Sequence, residues 1–256
     1  ALPPDLSDSH GQPTGAIFGF SNMLTKLIAE QEPDLMALAF DKSRHTFRTE
    51  RYADYKGTRD KTPEELLSQF PLLREFAANM GIPFLEKDNY EADDIIGTLA
   101  TQAAAEGYDV RVVTGDRDAL QLVRPNLRVL LTKKGISELK DYAFEEEYGF
   151  EPLKLIDLKG LMGDTSDNIP GIPGVGPKTA SKLLLAYGSV ENVLAHVEDV
   201  SGKKLKERLM EYADQARLSK ELATIELHVP EIEFVEADYR IQPDMEKMQA
   251  FCDAHE

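Results

Sequence analysis

Eight carboxylates fall in four short groups: Asp41, then Glu91, Asp93 and Asp94, then Asp116 and Asp118, then Asp164 and Asp167. Each group ends an apolar run or occupies the first turn of an expected helix. A fold that buries the runs must leave the acids where they are tolerated, because massed unpaired carboxylates are costly to bury. An α/β sheet meets that demand, since its ligands bind beyond the carboxyl ends of the strands. All four groups can be assigned to that one end.

The apolar pattern supports this class. Ile17, Phe20, Leu24, Leu27 and Ile28 are at helical spacing, and Leu35–Phe40 reads as a buried parallel strand ending at Asp41. Thr62-Pro-Glu-Glu65 has the form of a capping box with proline at the first helical position. The helix it opens carries Leu66, Phe70, Leu73, Ala77 and Met80 and stops at Gly81. A further helix is expected over 89–106, where Gly97, one turn after Asp93, leaves space beside that acid. Strands are expected at 109–114 and 127–131, and beyond about residue 142 the strand signal vanishes. The layout is an α/β core over 1–141 with a mostly parallel central sheet, then a helical region over 142–230. An acidic tail or linker over 231–256 ends the chain.

The 256 residues are 42% hydrophobic and 29% charged, with a single cysteine and five scattered histidines. Thiolate or histidine zinc sites are thereby disfavoured, and a reducing cytoplasm is expected. No apolar run approaches the roughly 18 residues of a membrane span. The net charge of −17 opposes a polyanionic partner at first sight. Setting aside the clustered acids, their expected metal ions and the acidic tail leaves the rest near neutral. Between Lys42 and Lys61, seven basic residues stand against three acids, a local footprint for a phosphate chain.

Oxygen-only donors in such groups suit a pair of hard divalent ions, Mg²⁺ with Mn²⁺ as substitute. Such a pair supports in-line phosphodiester hydrolysis without a protein nucleophile. Taken singly, each group has an ordinary explanation as a helix cap or a turn. After the last group comes Gly171-Ile-Pro-Gly-Val-Gly-Pro-Lys-Thr-Ala180, leading into a helix that Gly188 stops. Gly174 and Gly176 allow close backbone approach to a phosphate, while Lys178, Thr179 and Lys182 line the helix start. The pattern, spanning 164–188, is that of a helix-hairpin-helix. The segment Tyr52-Ala-Asp-Tyr-Lys-Gly-Thr-Arg59 interleaves aromatics with cations, which suits stacking on unpaired bases.

With these residues in view, the chain resembles the 5′ nuclease domains of bacterial DNA polymerase I, within the flap endonuclease family. The matching segments run almost end to end: Ala39-Phe-Asp41, Tyr52-Ala-Asp-Tyr-Lys56, Tyr90-Glu-Ala-Asp-Asp94, Thr114-Gly-Asp-Arg-Asp118, Gly163-Asp-Thr-Ser-Asp-Asn-Ile-Pro-Gly171 and the hairpin. The resemblance implies one metal among Asp41, Glu91, Asp93 and Asp94. It implies a second among Asp116, Asp118, Asp164 and Asp167. It also implies an arch over 42–80 that covers a single-stranded 5′ end, with Arg44, Arg51 and Tyr55 meeting DNA. Tyr55, Lys56 and Arg59 would steer the scissile phosphate, Lys159 would sit near it, and the hairpin would grip duplex through a K⁺ ion. The implied activity is 5′-3′ exonuclease and flap endonuclease action on DNA with a free 5′ end, flap or nick. It would remove primers and flaps in a bacterial, nucleoid-associated setting, as a monomer with a polymerase domain fused C-terminally. The family opens with a strand ending in an Asp-Gly-Asn type motif, and its aspartate is a metal ligand. This chain starts just after that place, with Ala1-Leu-Pro-Pro, so impaired activity is expected of it.

Two rivals remain. A catalytically silent binder of branched DNA would use the hairpin without the acids. A haloacid-dehalogenase-like phosphatase is suggested by a strand followed by Asp116-Arg-Asp118, but Ala119 and Leu120 stand where that family expects Thr or Val.

Overall fold

A computed structural model describes residues 6–133, 138–141 and 149–255. The opening Ala1-Leu-Pro-Pro and the expected boundary between residues 141 and 142 lie outside them. The N-terminal half contains α1 (Gly15–Gln31), β1 (Leu38–Ala39), α2 (Phe47–Arg51), α3 (Glu64–Leu67), α4 (Phe70–Asn79), β2 (Phe84–Leu85) and α5 (Ala92–Ala105). Next come β3 (Val110–Thr114), a 3-10 turn at Arg117–Leu122, β4 (Leu127–Lys133) and β5 (Glu138–Asp141). The remaining helices are α6 (Leu155–Met162), α7 (Pro177–Tyr187), α8 (Val190–Ala195), α9 (Lys203–Glu211), α10 (Ala213–Ala223) and α11 (Met245–Ala254).

The α/β class and the parallel pairing are as expected, but the pairing is divided between two small sheets. β1 pairs in parallel with β2, Leu38 opposite Phe84. β3 pairs in parallel with β4, from Val110↔Leu127 to Thr114↔Leu131, and β5 adds an antiparallel edge that the sequence reading lacked. The β-branched run Val110-Arg-Val-Val-Thr114 explains β3.

The helix expected over 62–80 is two helices. Pro71 has no N–H to offer the Leu67 carbonyl, so the ladder breaks there. The expected capping box is not formed: α3 begins at Glu64 behind Pro63, with no side-chain cap. Gln69, in the break, instead caps α1, its Oε1 accepting Ala16 N–H at 2.8 Å and Ile17 N–H at 3.1 Å.

One core joins β3, β4 and α5 to α6–α10 and to Ile172 and Val175 of the hairpin. A second packs Ile17, Leu24, Leu72, Leu73, Phe76 and Ile82 beside β1 and β2. Phe251 of α11 belongs to this second core, 6.0 Å from the Phe76 ring. The C-terminal segment is therefore docked rather than a free tail. Ile241, Met248 and Phe251 supply its apolar face, and backbone bonds tie Met36 to Tyr239 and Asp244 to Asn79, both at 2.8 Å.

Candidate active site

The acids are held by the local structure that each motif forms. Asp41 follows β1, and its Oδ1 accepts the Ala92 N–H at 2.7 Å, so it caps α5. Glu91 is the N-cap of that helix, and its own N–H donates to Asp94 Oδ2 at 3.0 Å. Asp116 follows β3 and accepts the Asp118 N–H at 2.9 Å, which turns the chain into the 3-10 helix. Asp164 begins the loop between α6 and α7, accepting the Ser166 N–H at 2.8 Å. Reciprocal Asp164–Ile169 backbone bonds of 2.9 and 2.8 Å close that loop around Asp167. The ordinary capping and turn roles are thus real for each group.

Asp93, Asp116, Asp118 and Asp164 face one another closely enough to be felt electrostatically. Burial, with the Asp116 charge next in importance, pushes Asp93 up to about 7. Burial likewise raises Asp118 to about 6, against the pull of Lys159 and with the push of Asp116. Asp116 thus lies between the two groups, acting on both.

Cations of the chain are inserted among the acids. Lys56 Nζ lies 2.6 Å from Glu91 Oε1 and 3.9 Å from Asp167 Oδ2. Arg59 pairs with Asp167, and Lys159 with Asp118 and, at 2.5 Å, with Asp164. The segment carrying Lys56 is pressed onto the acid loop: Lys56 N–H donates to Asp167 O at 2.8 Å, and Asn168 Nδ2 to Asp54 O at 2.7 Å. Lys56 and Asn168 both take left-handed backbone angles, φ 53° and 55°, a cost that functional turns commonly carry. In this arrangement no three acidic, histidine or cysteine side chains among the described residues come together as a cation site. The lysines and Arg59 balance the charge there. The donor set still fits hard divalent ions: it is oxygen-only, and burial together with the neighbouring carboxylate charge of Asp116 raises Asp93 and Asp118, a penalty that a bound cation would relieve.

Some expected residues take other roles. Asp94 is fully buried, and both its oxygens are used: by Arg48 at 2.7 and 2.8 Å, by Glu91 N–H, and by Glu226 N–H at 2.9 Å. It is a structural anchor rather than a free ligand. Tyr55 is 5% exposed, its hydroxyl 3.1 Å from Glu91 Oε2, so its ring is not available to stack on bases. The space expected at Gly97 is filled, since a Cβ there would come within 2.5 Å of Ile225 and 2.9 Å of Leu227. Arg51 pairs with Glu221 at 3.0 Å and Arg44 bonds the Arg59 and Asp60 carbonyls, both on the surface. Arg48 was counted in the sequence only as charge, yet it is buried and also donates to the Leu222 and Thr224 carbonyls. The signal for it was Glu91 and Asp94 sharing one helical face, which demands a buried cation.

The hairpin forms as expected, between α6 and α7. Gly171 and Gly174 are left-handed, with φ 59° and 76°. Gly176 caps α7, whose first backbone bond runs from Ala180 N–H to Gly176 O at 2.9 Å. The amides of Lys178 and Thr179 therefore precede the ladder. Lys178 and Lys182 are exposed, and Thr179 is half-buried.

Two family profiles match in sequence: the 5′-3′ exonuclease N-terminal resolvase-like domain over residues 1–149, and the 5′-3′ exonuclease C-terminal SAM fold over 150–247. The chain belongs to the 5′-3′ exonuclease family. DNA polymerase I of Bacillus caldotenax is 52% identical over 230 residues, covering 89% of this chain and 26% of its own length. That of Bacillus subtilis (strain 168) is 49% identical over 230 residues, with the same coverage. This 5′-3′ exonuclease chain thus spans about a quarter of the curated relatives it matches. Among solved structures, a T5 5′-exonuclease with bound divalent metal ions (zinc) superposes with a TM-score of 0.71 at 20% identity. That match covers 96% of this chain and 91% of the other. The catalytic core of Rad2 in complex with DNA substrate gives 0.60 at 16%, covering 97% and 81%. At these identities the likeness is one of fold.

Proposed function

We propose that this 5′-3′ exonuclease family member hydrolyses DNA phosphodiesters at free 5′ ends and flaps by a two-metal-ion route, as in primer and flap removal. One observation carries the reading: Asp164 and Asp167 lie on the same α6–α7 loop as the hairpin. A duplex gripped by the hairpin is thereby held beside the acids.

Asp41, Glu91 and Asp93 would hold one divalent ion, and Asp118, Asp164 and Asp167 a second, with Asp116 between them. Mg²⁺ is the ion we favour, with Mn²⁺ able to replace it. Bound there, the ions would supply water activation and charge neutralisation at the leaving oxygen. Asp94 stays with Arg48 and fixes the first turn of α5, so that Glu91 and Asp93 are presented together. Lys56, Arg59 and Lys159, each already on a carboxylate, are placed to exchange those partners for the oxygens of the scissile phosphate. The hairpin amides and Lys178 and Lys182 would hold backbone phosphates of the duplex. The relatives' name, DNA polymerase I, supports a polymerase domain as the natural C-terminal neighbour in a bacterial cytoplasm.

The decisive experiment uses a fluorescent 5′-flap duplex with Mg²⁺ or with EDTA. Cleavage at the flap junction with Mg²⁺ alone, abolished by Asp116→Ala with DNA binding retained, is the expected result. Binding without cleavage in any divalent ion would return the reading to a silent DNA binder.

A further inference from the structure

We infer that Arg208 of α9 is part of the duplex-gripping surface and contacts a backbone phosphate alongside the hairpin. The inference rests on the reading of the hairpin as a duplex binder. Gly174, at the tip of the turn, lacks a Cβ where one would overlap Arg208 Nη1 and stand 2.8 Å from its Cζ and 3.4 Å from its Nη2. The Nη1 end of the guanidinium is therefore turned toward the glycine. The left-handed backbone of Gly174 favours glycine on its own account, and the missing side chain leaves room for the end of the arginine.

That position is held from below. Leu209, the next residue, is fully buried in the core that contains Ile172 and Val175 of the turn. Helix and hairpin are thus one packed unit, and Arg208 stands exposed on its outer side.

The hydrogen-bond inventory makes this more than packing. Guanidinium groups on proteins normally find carboxylates or carbonyls. Among the described residues, Arg117 has an interaction of its own, and each remaining arginine apart from Arg208 makes an ion pair or a hydrogen bond, from Arg44 on the Arg59 carbonyl to Arg240 on Glu236. Arg208 makes neither through its side chain. In a chain with a net charge of −17, an exposed arginine beside the turn, its side-chain donors free among the described residues, is complementary to a phosphate. Its planar fork matches phosphate oxygens two at a time.

The test is anisotropy titration of a fluorescent 5′-flap duplex in EDTA across a KCl series. It compares the wild-type chain with Arg208→Ala, Arg208→Lys, Lys178→Ala and, far from the hairpin on α11, Lys247→Ala. Arg208→Ala should lower the slope of log affinity against log salt by about one and weaken binding several-fold at the lowest salt. Arg208→Lys should keep the slope, and Lys247→Ala should match wild type. Arg208 is exposed, so unchanged thermal melting is expected of each variant. A full wild-type slope in Arg208→Ala, with the slope reduced in Lys178→Ala, overturns the inference and leaves the hairpin reading intact. Unchanged slopes in both variants overturn the duplex-binding reading itself. Equal weakening by Ala and Lys at an unchanged slope would assign Arg208 to packing, also against the inference.

Discussion

Arg48 grips Asp94 with two prongs, Nη1 to Oδ2 at 2.8 Å and Nη2 to Oδ1 at 2.7 Å, in a setting closed to solvent. The same guanidinium reaches Glu91 at 3.1 Å and the carbonyls that end α10. Burial alone would make Arg48 a weaker base, but the Asp94 bonds and charge outweigh it and hold the proton more tightly.

Removing one partner strands a buried charge, which typically costs about 3–5 kcal/mol. Arg48→Ala should lose stability of that order in urea unfolding, and Asp94→Asn somewhat less, because an amide keeps part of the network. Neither variant should alter the stoichiometry of Mn²⁺ binding measured calorimetrically. A lost ion in Asp94→Asn would restore Asp94 as a ligand.

Lys56 and Arg59 compete with any divalent ion for Glu91 and Asp167. A unit charge at 4 Å is worth about 4 kcal/mol at an effective dielectric of 20, most of it offset by hydration. Lys56→Ala and Arg59→Ala should therefore tighten Mn²⁺ binding on the order of tenfold, about 1.4 kcal/mol. Cleavage by the same variants should fall. Weaker metal binding would count against the exchange of partners.

The metal-free protein should lose stability as pH rises from about 4 to about 7. Asp93 and Asp118 have folded values near 7 and 6 against an ordinary 3.8, so the folded chain binds more protons than the unfolded one across that window. Below it both states are protonated, and above it the penalty is complete. Urea midpoints in EDTA should be higher at pH 5 than at pH 8, and Mg²⁺ should narrow the gap. Asp93→Asn should narrow it as well.

Two glycines of one motif should respond in opposite ways. A Cβ on Gly171 would overlap the Gly163 and Met162 backbone at a left-handed φ, so Gly171→Ala should cost about 3 kcal/mol or more. Gly176 has open space and an ordinary φ of −94°. Gly176→Ala should melt like wild type, and any effect should be confined to DNA affinity. Thermal melting distinguishes the two directly.

The α/β class, the strands at β3 and β4, the hairpin and the acid groups were legible in the sequence, because periodicity and Gly/Pro punctuation are local signals. The break at Pro71 is legible too, since proline ends a helical ladder even where the apolar spacing continues on either side. What could not be read were partnerships between distant positions. Arg48 meets Asp94, Tyr55 meets Glu91, and Ile225 fills the notch at Gly97. Side-chain type names a candidate, but only packing decides whether an aspartate faces a cation of the chain or an open cleft. Docking of the C-terminal segment was missed for the same reason: an acidic composition hid Ile241 before α11 and Met248 and Phe251 on it.

The α6–α7 loop has a further consequence. It is pinched at its neck, where Gly171 lies against Gly163, and it carries acids before the pinch and the hairpin after it. The two stations cannot slide relative to each other, so their separation is a built-in ruler. On the proposed reading, with the hairpin as grip and the acids as the place of cleavage, the number of base pairs between the two would be set by a covalent span of about a dozen residues, whatever the base sequence of the DNA.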